Sequence, residues 1–327
     1  MSISNTSYFL RLLLITLFLP ALFYSGCDFG DIKPKSTTGS LSVAVDENVE
    51  PLMKMEVAEF QRLNPEAKIE LRFLPTRNIL AELINNQAKY VISTADFNEE
   101  EKKVIAEHDI KISRHVFAVD GIAFIVNPSN PVKRVTSEDI KKIFSGEYTQ
   151  WDQVVSQDEE QNAAVKKTMT GKNSKIKLYI QRRNSGTYDF VQDSVMNNLE
   201  FSKNVNVCST SAQMLDMIRQ NENAIGISNL GWLATGNQDV LDTTVRPLKI
   251  SAIKEGERQT DFIQFHQGLV FSGEYPYRRI VYIFTTEQGI KLASGFTTFL
   301  LNKDGQKVAL ESGMVPVTQP VRTVQIN

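Results

Sequence analysis

The chain has 327 residues, of which 42% are hydrophobic and 23% are charged, and its formal net charge at pH 7 is −2. A balance this close to neutral lacks the basic excess of nucleic-acid-binding proteins. The length is sufficient for a large core divided between two lobes.

The N-terminus has the pattern of a secretory signal. Arg11 lies early, an apolar run interrupted by Pro20 follows, and the run is shorter than the roughly 20 residues of a membrane span. Ser25-Gly26-Cys27 then resembles a lipobox, in which the cysteine is acylated. We therefore predict a lipoprotein signal peptide over residues 1–26 and lipidation of Cys27, which places the protein in the cell envelope, on the periplasmic or extracytoplasmic face. The alternative is an uncleaved N-terminal anchor with an incidental cysteine.

Residues 27–38 are polar and contain Pro, Gly, Ser and Thr, a composition typical of a flexible tether. The chain has two cysteines. If Cys27 is lipidated, Cys208 has no intrachain partner, and we expect it to be a buried small residue rather than a nucleophile.

Strand and helix signals alternate along the rest of the chain, which predicts an α/β fold with a mainly parallel sheet flanked by helices. Short apolar runs typical of strands occur at residues 41–45, 69–74, 90–93, 117–126, 176–180, 224–228 and 280–285. Helical spacing begins near Val49, and Asn98 followed by three glutamates has the pattern of a capped helix start. We interpret the polar stretch 156–174 as a surface insertion.

Motifs of common catalytic and metal sites are absent from the sequence. It contains no HExxH, paired CxxC, GxxxxGK[ST] or GxSxG pattern, and its three histidines (His108, His115 and His266) are scattered. We therefore predict no catalytic residues, no metal and no cofactor.

The segment 179–190 (YIQRRNSGTYDF) carries the clearest chemical signal. A strand ends near Ile180, Arg182 and Arg183 follow, and Ser185-Gly186-Thr187 stands directly before a helix. A helix N-terminus offers unpaired N–H groups, and an arginine fork suits an oxyanion, so the pattern predicts an anion site. An ordinary helix cap with two solvated arginines fits the same residues.

Five further motifs, in the order of the chain, resemble those of the phosphate-binding proteins of ABC importers. They are residues 120–127 (DGIAFIVN), 143–146 (IFSG) with Trp151, 223–227 (NAIGI), 275–282 (YPYRRIVY) and 313–316 (GMVP). The resemblance implies a two-lobed type II periplasmic-binding-protein fold, whose lobes are joined by two crossover segments near 117–126 and 275–284 and close around the ligand. It assigns residues 39–118 and 280–327 to lobe 1 and residues 119–279 to lobe 2.

The resemblance also implies a set of ligand-binding residues. They are Asp46 and Asn48 in the first loop, Thr76 and Arg77 in the second, Thr94 in the third, and Arg182, Arg183, Ser185, Gly186 and Thr187 in the fourth. Thr94 stands where the family has an acid, and Gln181 stands where it often has an arginine. Asp46 and Glu47 would repel a dianion, accept a proton from it, or merely cap the following helix.

The function implied is capture of inorganic phosphate or a similar small oxyanion for the permease subunits of an ABC importer, by a monomer held to the membrane through its lipid anchor alone. A lipid-anchored sensor or scaffold of the same fold is the alternative, and a phosphate-handling enzyme is a third, less supported interpretation. We interpret Trp151 and Trp232 as packing residues, and Arg278-Arg279 as structural or as a docking surface.

Overall fold

The computed structural model describes residues 36–156, 158–236, 240–251 and 261–318. The predicted signal peptide, the lipidation site Cys27 and most of the tether lie outside these residues. None of the helices in the described ranges is both long and apolar enough to cross a bilayer.

Twelve strands form in the described part of the chain. They are β1 (Gly39–Asp46), β2 (Ala67–Leu74), β3 (Tyr90–Ser93), β4 (Ser113–Val126), β5 (Arg134–Thr136), β6 (Lys177–Gln181), β7 (Asn206–Cys208), β8 (Ala224–Asn229), β9 (Arg246–Pro247), β10 (Lys249–Ser251), β11 (Arg278–Thr285) and β12 (Val315–Pro316).

The α-helices of the same ranges alternate with these strands. They are α1 (Glu50–Leu63), α2 (Thr76–Ile84), α3 (Glu99–Glu107), α4 (Ser137–Ser145), α5 (Glu159–Thr168), α6 (Gly186–Ser194), α7 (Ser211–Gln220), α8 (Leu230–Leu233), α9 (Gln267–Ser272), α10 (Leu292–Leu301) and α11 (Lys303–Glu311).

The two lobes share one mixed sheet, in the order β2-β1-β3-β11-β4-β8-β6-β7. β1 pairs in parallel with β2 and β3 in the first lobe, and β6 pairs in parallel with β7 and β8 in the second. The antiparallel strands β4 and β11 lie between these groups: residues 113–121 of β4 pair with β11, and residues 122–126 pair with β8. The predicted α/β two-lobed fold with two crossover strands is confirmed, while the residue boundaries of the lobes stay a prediction.

Helices cover both faces of the sheet. Val43 and Val45 of β1 belong to the main apolar core, whereas Ala44 between them points into a smaller core beneath α2. A strand buried on both faces is typical of parallel sheets covered by helices. At the C-terminus, α10 and α11 return to pack against α1 of the first lobe.

Two local predictions from the sequence are confirmed, and one is incomplete. Asn98 caps α3, since its side chain accepts a hydrogen bond from Glu101 N and the Glu101 carboxylate accepts one from Asn98 N. Trp151 is fully buried and its indole N–H donates to Asn223 O at 3.0 Å, as expected of a packing residue. The surface-insertion interpretation of 156–174 is incomplete: the stretch contains α5, which buries Val165 against the core.

Phe124 on the shared strand β4 provides a test of the core. It is fully buried and makes edge contacts with the rings of Phe144 and Tyr277, at centroid distances of 5.3 Å and 5.5 Å. We expect Phe124→Ala to lower the free energy of unfolding by about 3–5 kcal/mol, because it removes a fully buried ring and leaves a cavity beside Phe144 and Tyr277. Phe271→Ala, at a ring that is 51% exposed, is the matched control and should cost below about 1 kcal/mol in the same urea titration. Equal effects of the two substitutions would contradict this account of the core.

Candidate functional site

Four loops meet where the two lobes touch, and each follows the carboxyl end of a strand. The first follows β1 (residues 46–48), the second follows β2 (75–77), the third closes β3 (93–94) and the fourth follows β6 (182–187). Ligands of open α/β sheets collect at such ends, because the loops and the helix N-termini that follow point their free N–H groups there.

The carboxylate of Asp46 lies at the centre of these loops and is completely buried. Its Oδ1 accepts hydrogen bonds from Asn48 N at 3.0 Å and from Asn48 Nδ2 at 2.7 Å. Its Oδ2 accepts from Thr76 Oγ1 at 2.5 Å, from Thr94 N at 3.2 Å and from the Thr94 hydroxyl. Five donors from three loops therefore converge on one carboxylate, and no ion pair reaches it from the described residues.

The N-terminus of α6 closes this cluster from the second lobe. Gly186 N donates to Thr76 Oγ1 at 2.6 Å. A Cβ atom at Gly186 would overlap the Thr94 hydroxyl and lie 2.9 Å from Thr76 Oγ1 and 3.3 Å from Asp46 Oδ2. Only glycine permits this approach, which explains the glycine of the Ser-Gly-Thr segment.

Ser185 and Thr187 flank that glycine and have different partners. Ser185 is the N-cap of α6, because its Oγ accepts from Tyr188 N at 3.1 Å. Thr187 is buried, and its hydroxyl donates to Asn48 Oδ1 across the lobes at 2.9 Å. The capping interpretation therefore applies to Ser185, whereas Thr187 faces the first lobe and its role in binding an anion stays a prediction.

Arg279 lies beneath Thr187, with only 3% of its side chain exposed. Its Nη1 donates to Thr187 Oγ1 at 3.0 Å, and its Nε donates to Asp120 Oδ2 at 3.0 Å. Asp120 also accepts from Asn229 Nδ2 and from Leu230 N, so its charge is well compensated. Burial nevertheless raises the pKa of Asp120, an effect opposed by the nearby guanidinium.

Sequence analysis missed the role of Arg279, and also that of Ser211 and Asn229. Ser211 Oγ donates to Asn48 Oδ1 at 3.3 Å, and Asn229 Nδ2 donates to Asn48 O at 3.0 Å. Arg279 stands in the YPYRRIVY motif, interpreted from the sequence as structural or docking. The available signal was its position on a buried crossover strand, where an arginine must have a partner.

The side chain of Arg77 joins the lobes at the rim of the loops instead of pointing at the Asp46 cluster. Its Nε donates to Asp189 Oδ2 of α6 at 2.7 Å, and its Nη1 donates to Glu101 Oε2 of α3 at 2.8 Å. Burial raises the pKa of Asp189, while Arg77 acts in the opposite direction.

The side chains of Arg182 and Arg183 point away from the Asp46 carboxylate, in different directions. Arg182 Nη2 donates to Glu47 Oε2 of the first lobe at 3.1 Å. Arg183 is exposed and lines a surface groove of about 710 Å³ beside Tyr188 and Lys203. Within the described ranges the Arg183 guanidinium makes no hydrogen bond and no ion pair. Their assignment as ligand residues stays a prediction, as it does for the other residues of the set.

Glu47 combines burial with an incomplete set of partners. Its Oε1 is buried without a hydrogen-bond partner in the described part of the chain, and Trp232 Nε1 donates to its backbone oxygen at 3.1 Å. Burial is the main cause that raises the pKa of Glu47 from 4.5 to about 7, and the Asp46 charge adds to it while Arg182 opposes it. Of the two acids in the first loop, Glu47 is therefore the one with a carboxylate oxygen that lacks a hydrogen-bond partner among the described residues.

The described residues include one cysteine, Cys208, together with many carboxylates. They contain no group of three His, Cys, Asp or Glu side chains placed to hold a metal ion. Cys208 is buried with a free thiol, as expected from the sequence, and burial raises its pKa to about 11.

Comparison with known proteins agrees with this geometry. The family model of the PBP superfamily domain matches residues 33–304. The chain belongs to the PBP superfamily. The phosphate-binding protein PstS of Pseudomonas aeruginosa is 24% identical over 296 residues, covering 88% of this chain and 86% of that protein. The phosphate-binding protein PstS of Bacillus subtilis is 26% identical over 286 residues, covering 87% and 83%.

A solved structure confirms the fold of this PBP superfamily member. A phosphate ABC transporter substrate-binding protein with bound phosphate from Clostridium perfringens superposes with a TM-score of 0.67 at 22% identity, covering 86% of this chain and all (100%) of that one. The resemblance identified from the motifs therefore holds over most of the described residues.

The raised pKa of Glu47 predicts a pH dependence of stability. Between pH 4.5 and about 7 the folded state holds more of the Glu47 proton than the unfolded state, so the free energy of unfolding falls as pH rises through that window. We expect Glu47→Gln to reduce this fall by up to about 3 kcal/mol, measured by urea unfolding at pH 5 and pH 7.5.

Glu100→Gln, at an exposed acid of α3, is the control for loss of one negative charge and should keep the wild-type dependence. If Glu47→Gln and wild type lost the same stability between the two pH values, the buried-acid account of Glu47 would be wrong.

Proposed function

We propose that this protein captures inorganic phosphate, or a similar small oxyanion, between its lobes and delivers it to an ABC importer. The observation that carries the proposal is the cluster of hydroxyl and backbone N–H donors that both lobes direct into the loops around the buried Asp46 carboxylate. Thr76 and Thr94 donate to Asp46 itself, whereas Gly186 donates to Thr76 and Thr187 donates to Asn48. Thr76, Thr94, Gly186 and Thr187 supply these donors, and Arg279 backs Thr187 with a guanidinium.

The chemistry of this donor set suits a desolvated oxyanion. Hydrogen bonds to an ionised acceptor are stronger than those between neutral groups, and several neutral donors disperse its charge without placing a bare cation in the cleft. The positive end of the α6 dipole adds a favourable field at Gly186 and Thr187. Because both lobes contribute donors, a bound anion would favour the closed arrangement of the lobes.

The relatives and the N-terminal pattern support a proposal for the setting in the cell. Relatives named phosphate-binding protein PstS match most of their own length. We infer that this chain likewise works outside the cytoplasm as a monomeric, non-catalytic receptor, held by a lipid on Cys27 and docking on permease subunits. The ligand contacts are assigned to Asn48, Thr76, Thr94, Gly186, Thr187 and Arg279.

A second candidate is a lipid-anchored sensor or scaffold that retains the fold without transport. The observation favouring it is the Asp46 carboxylate, which already uses the Thr76 and Thr94 donors. Titration with small oxyanions decides between the two candidates.

Isothermal titration of the chain from Ser36 onwards, stripped of anion by partial unfolding and refolding, tests the receptor function. We expect saturable heat with phosphate and arsenate. Thr187→Val should weaken phosphate binding by about tenfold to a hundredfold, because it removes a hydroxyl that links Asn48, Arg279 and the anion. Thr187→Ser keeps the hydroxyl and should bind within a few-fold of wild type.

Arg183→Ala tests the predicted role of Arg183 as a ligand residue, and because Arg183 is exposed and lines the surface groove we expect the variant to leave the affinity unchanged. Absence of heat with phosphate, sulfate, molybdate and arsenate would reject the receptor function and favour the sensor or scaffold. Loss of binding in Arg183→Ala with retention in Thr187→Val would move the site to the surface groove.

A further inference from the structure

We infer that Asp46 is an internal competitor for the anion site: its carboxylate occupies the ligand's donors, holds the two lobes together, and thereby sets the affinity for external anions. The inference rests on the proposed function, because the competing ligand is the oxyanion proposed above.

The donors around Asp46 are those that an oxyanion would require. The second and third loops each direct a hydroxyl at Oδ2, and Thr94 N adds a backbone donor at 3.2 Å. A buried carboxylate is costly unless hydrogen bonds replace its water shell. Asp46 is fully buried, and its five hydrogen bonds meet that requirement without an ion pair from the described residues.

The same carboxylate links the lobes through its neighbours. Thr76 donates to Asp46 Oδ2 and accepts from Gly186 N of the second lobe, so one hydroxyl bridges the carboxylate and the α6 N-terminus. Asn48 donates twice to Asp46 Oδ1 and accepts from Thr187 across the cleft. The carboxylate therefore orients both side chains that make the cross-lobe contacts, Thr76 and Asn48. Removing it should weaken both contacts.

An external dianion cannot share this position with an ionised Asp46. Two anions on the same donors repel each other in a site from which water is excluded. The ligand must displace the Asp46 side chain, so its apparent dissociation constant is the intrinsic one divided by the fraction of molecules in which Asp46 has released the donors. Asp46 thus determines affinity by occupying the site, whereas an ordinary ligand contact would determine it by attraction.

The distinguishing experiment combines titration with small-angle X-ray scattering on the same stripped protein. We expect Asp46→Ala to bind phosphate at least tenfold more tightly than wild type. Without added anion we expect Asp46→Ala to scatter as a more expanded particle, and to contract on adding phosphate, while wild type changes little. Asp46→Asn, which removes the charge but keeps the shape, is the second variant if the alanine protein folds poorly, and it should also bind more tightly.

Glu50→Gln is the matched control. It removes a nearby acid whose contact is the surface pair with Lys54, so its affinity and scattering should equal those of wild type. Weaker phosphate binding in both Asp46 variants, with Glu50→Gln unchanged, would overturn the inference while leaving the receptor function standing. If neither wild type nor the variants bind any anion, the receptor function fails. Scattering alone then tests whether Asp46 holds the lobes together, and equal dimensions of wild type and Asp46→Ala would overturn that part of the inference.

Discussion

The structure depends on satisfying one buried carboxylate. Asp46 ends the strand β1 inside the protein, where an ionised group without donors would cost several kcal/mol. Its requirement for hydrogen bonds fixes the arrangement of the surrounding loops: Asn48 turns back onto Oδ1, and Thr76 and Thr94 aim their hydroxyls at Oδ2. The approach of Gly186 then follows, because the Thr76 hydroxyl, which donates its proton to Asp46, accepts a hydrogen bond from Gly186 N across the cleft.

The charged groups around this cluster are arranged in opposite pairs, which leaves mainly neutral donors facing the cleft. Arg279 pairs with Asp120 beneath the site, and both side chains are almost wholly buried. Arg77 pairs with Asp189 across the lobes at a more exposed position, where such a pair contributes roughly 0–1 kcal/mol. Arg182 pairs across the lobes with the buried Glu47. The buried pair matters more, because removing Arg279 alone would strand the Asp120 charge.

The sequence predicts those parts of the fold that a local pattern of residues determines. The apolar run of β4 predicted a buried strand, Asn98 and the glutamates after it predicted a helix start, and Ser185-Gly186-Thr187 predicted a helix N-terminus. The direction of the arginines could not be predicted, because a long side chain reaches whichever acid the tertiary fold brings near: Asp189 for Arg77 and Glu47 for Arg182. The part played by Arg279 was missed for the same reason, since its partner Thr187 is 92 residues away.

Crystallography of the stripped protein soaked with arsenate, using the anomalous signal of arsenic, tests the central claim most directly. We predict one strong peak within hydrogen-bonding distance of Gly186 N, Thr187 Oγ1 and Thr94 N, with the Asp46 carboxylate displaced from Thr76 and Thr94. A peak only in the groove beside Arg183, or a peak at the loops with the Asp46 contacts unchanged, would contradict the claim that the anion and Asp46 use the same donors.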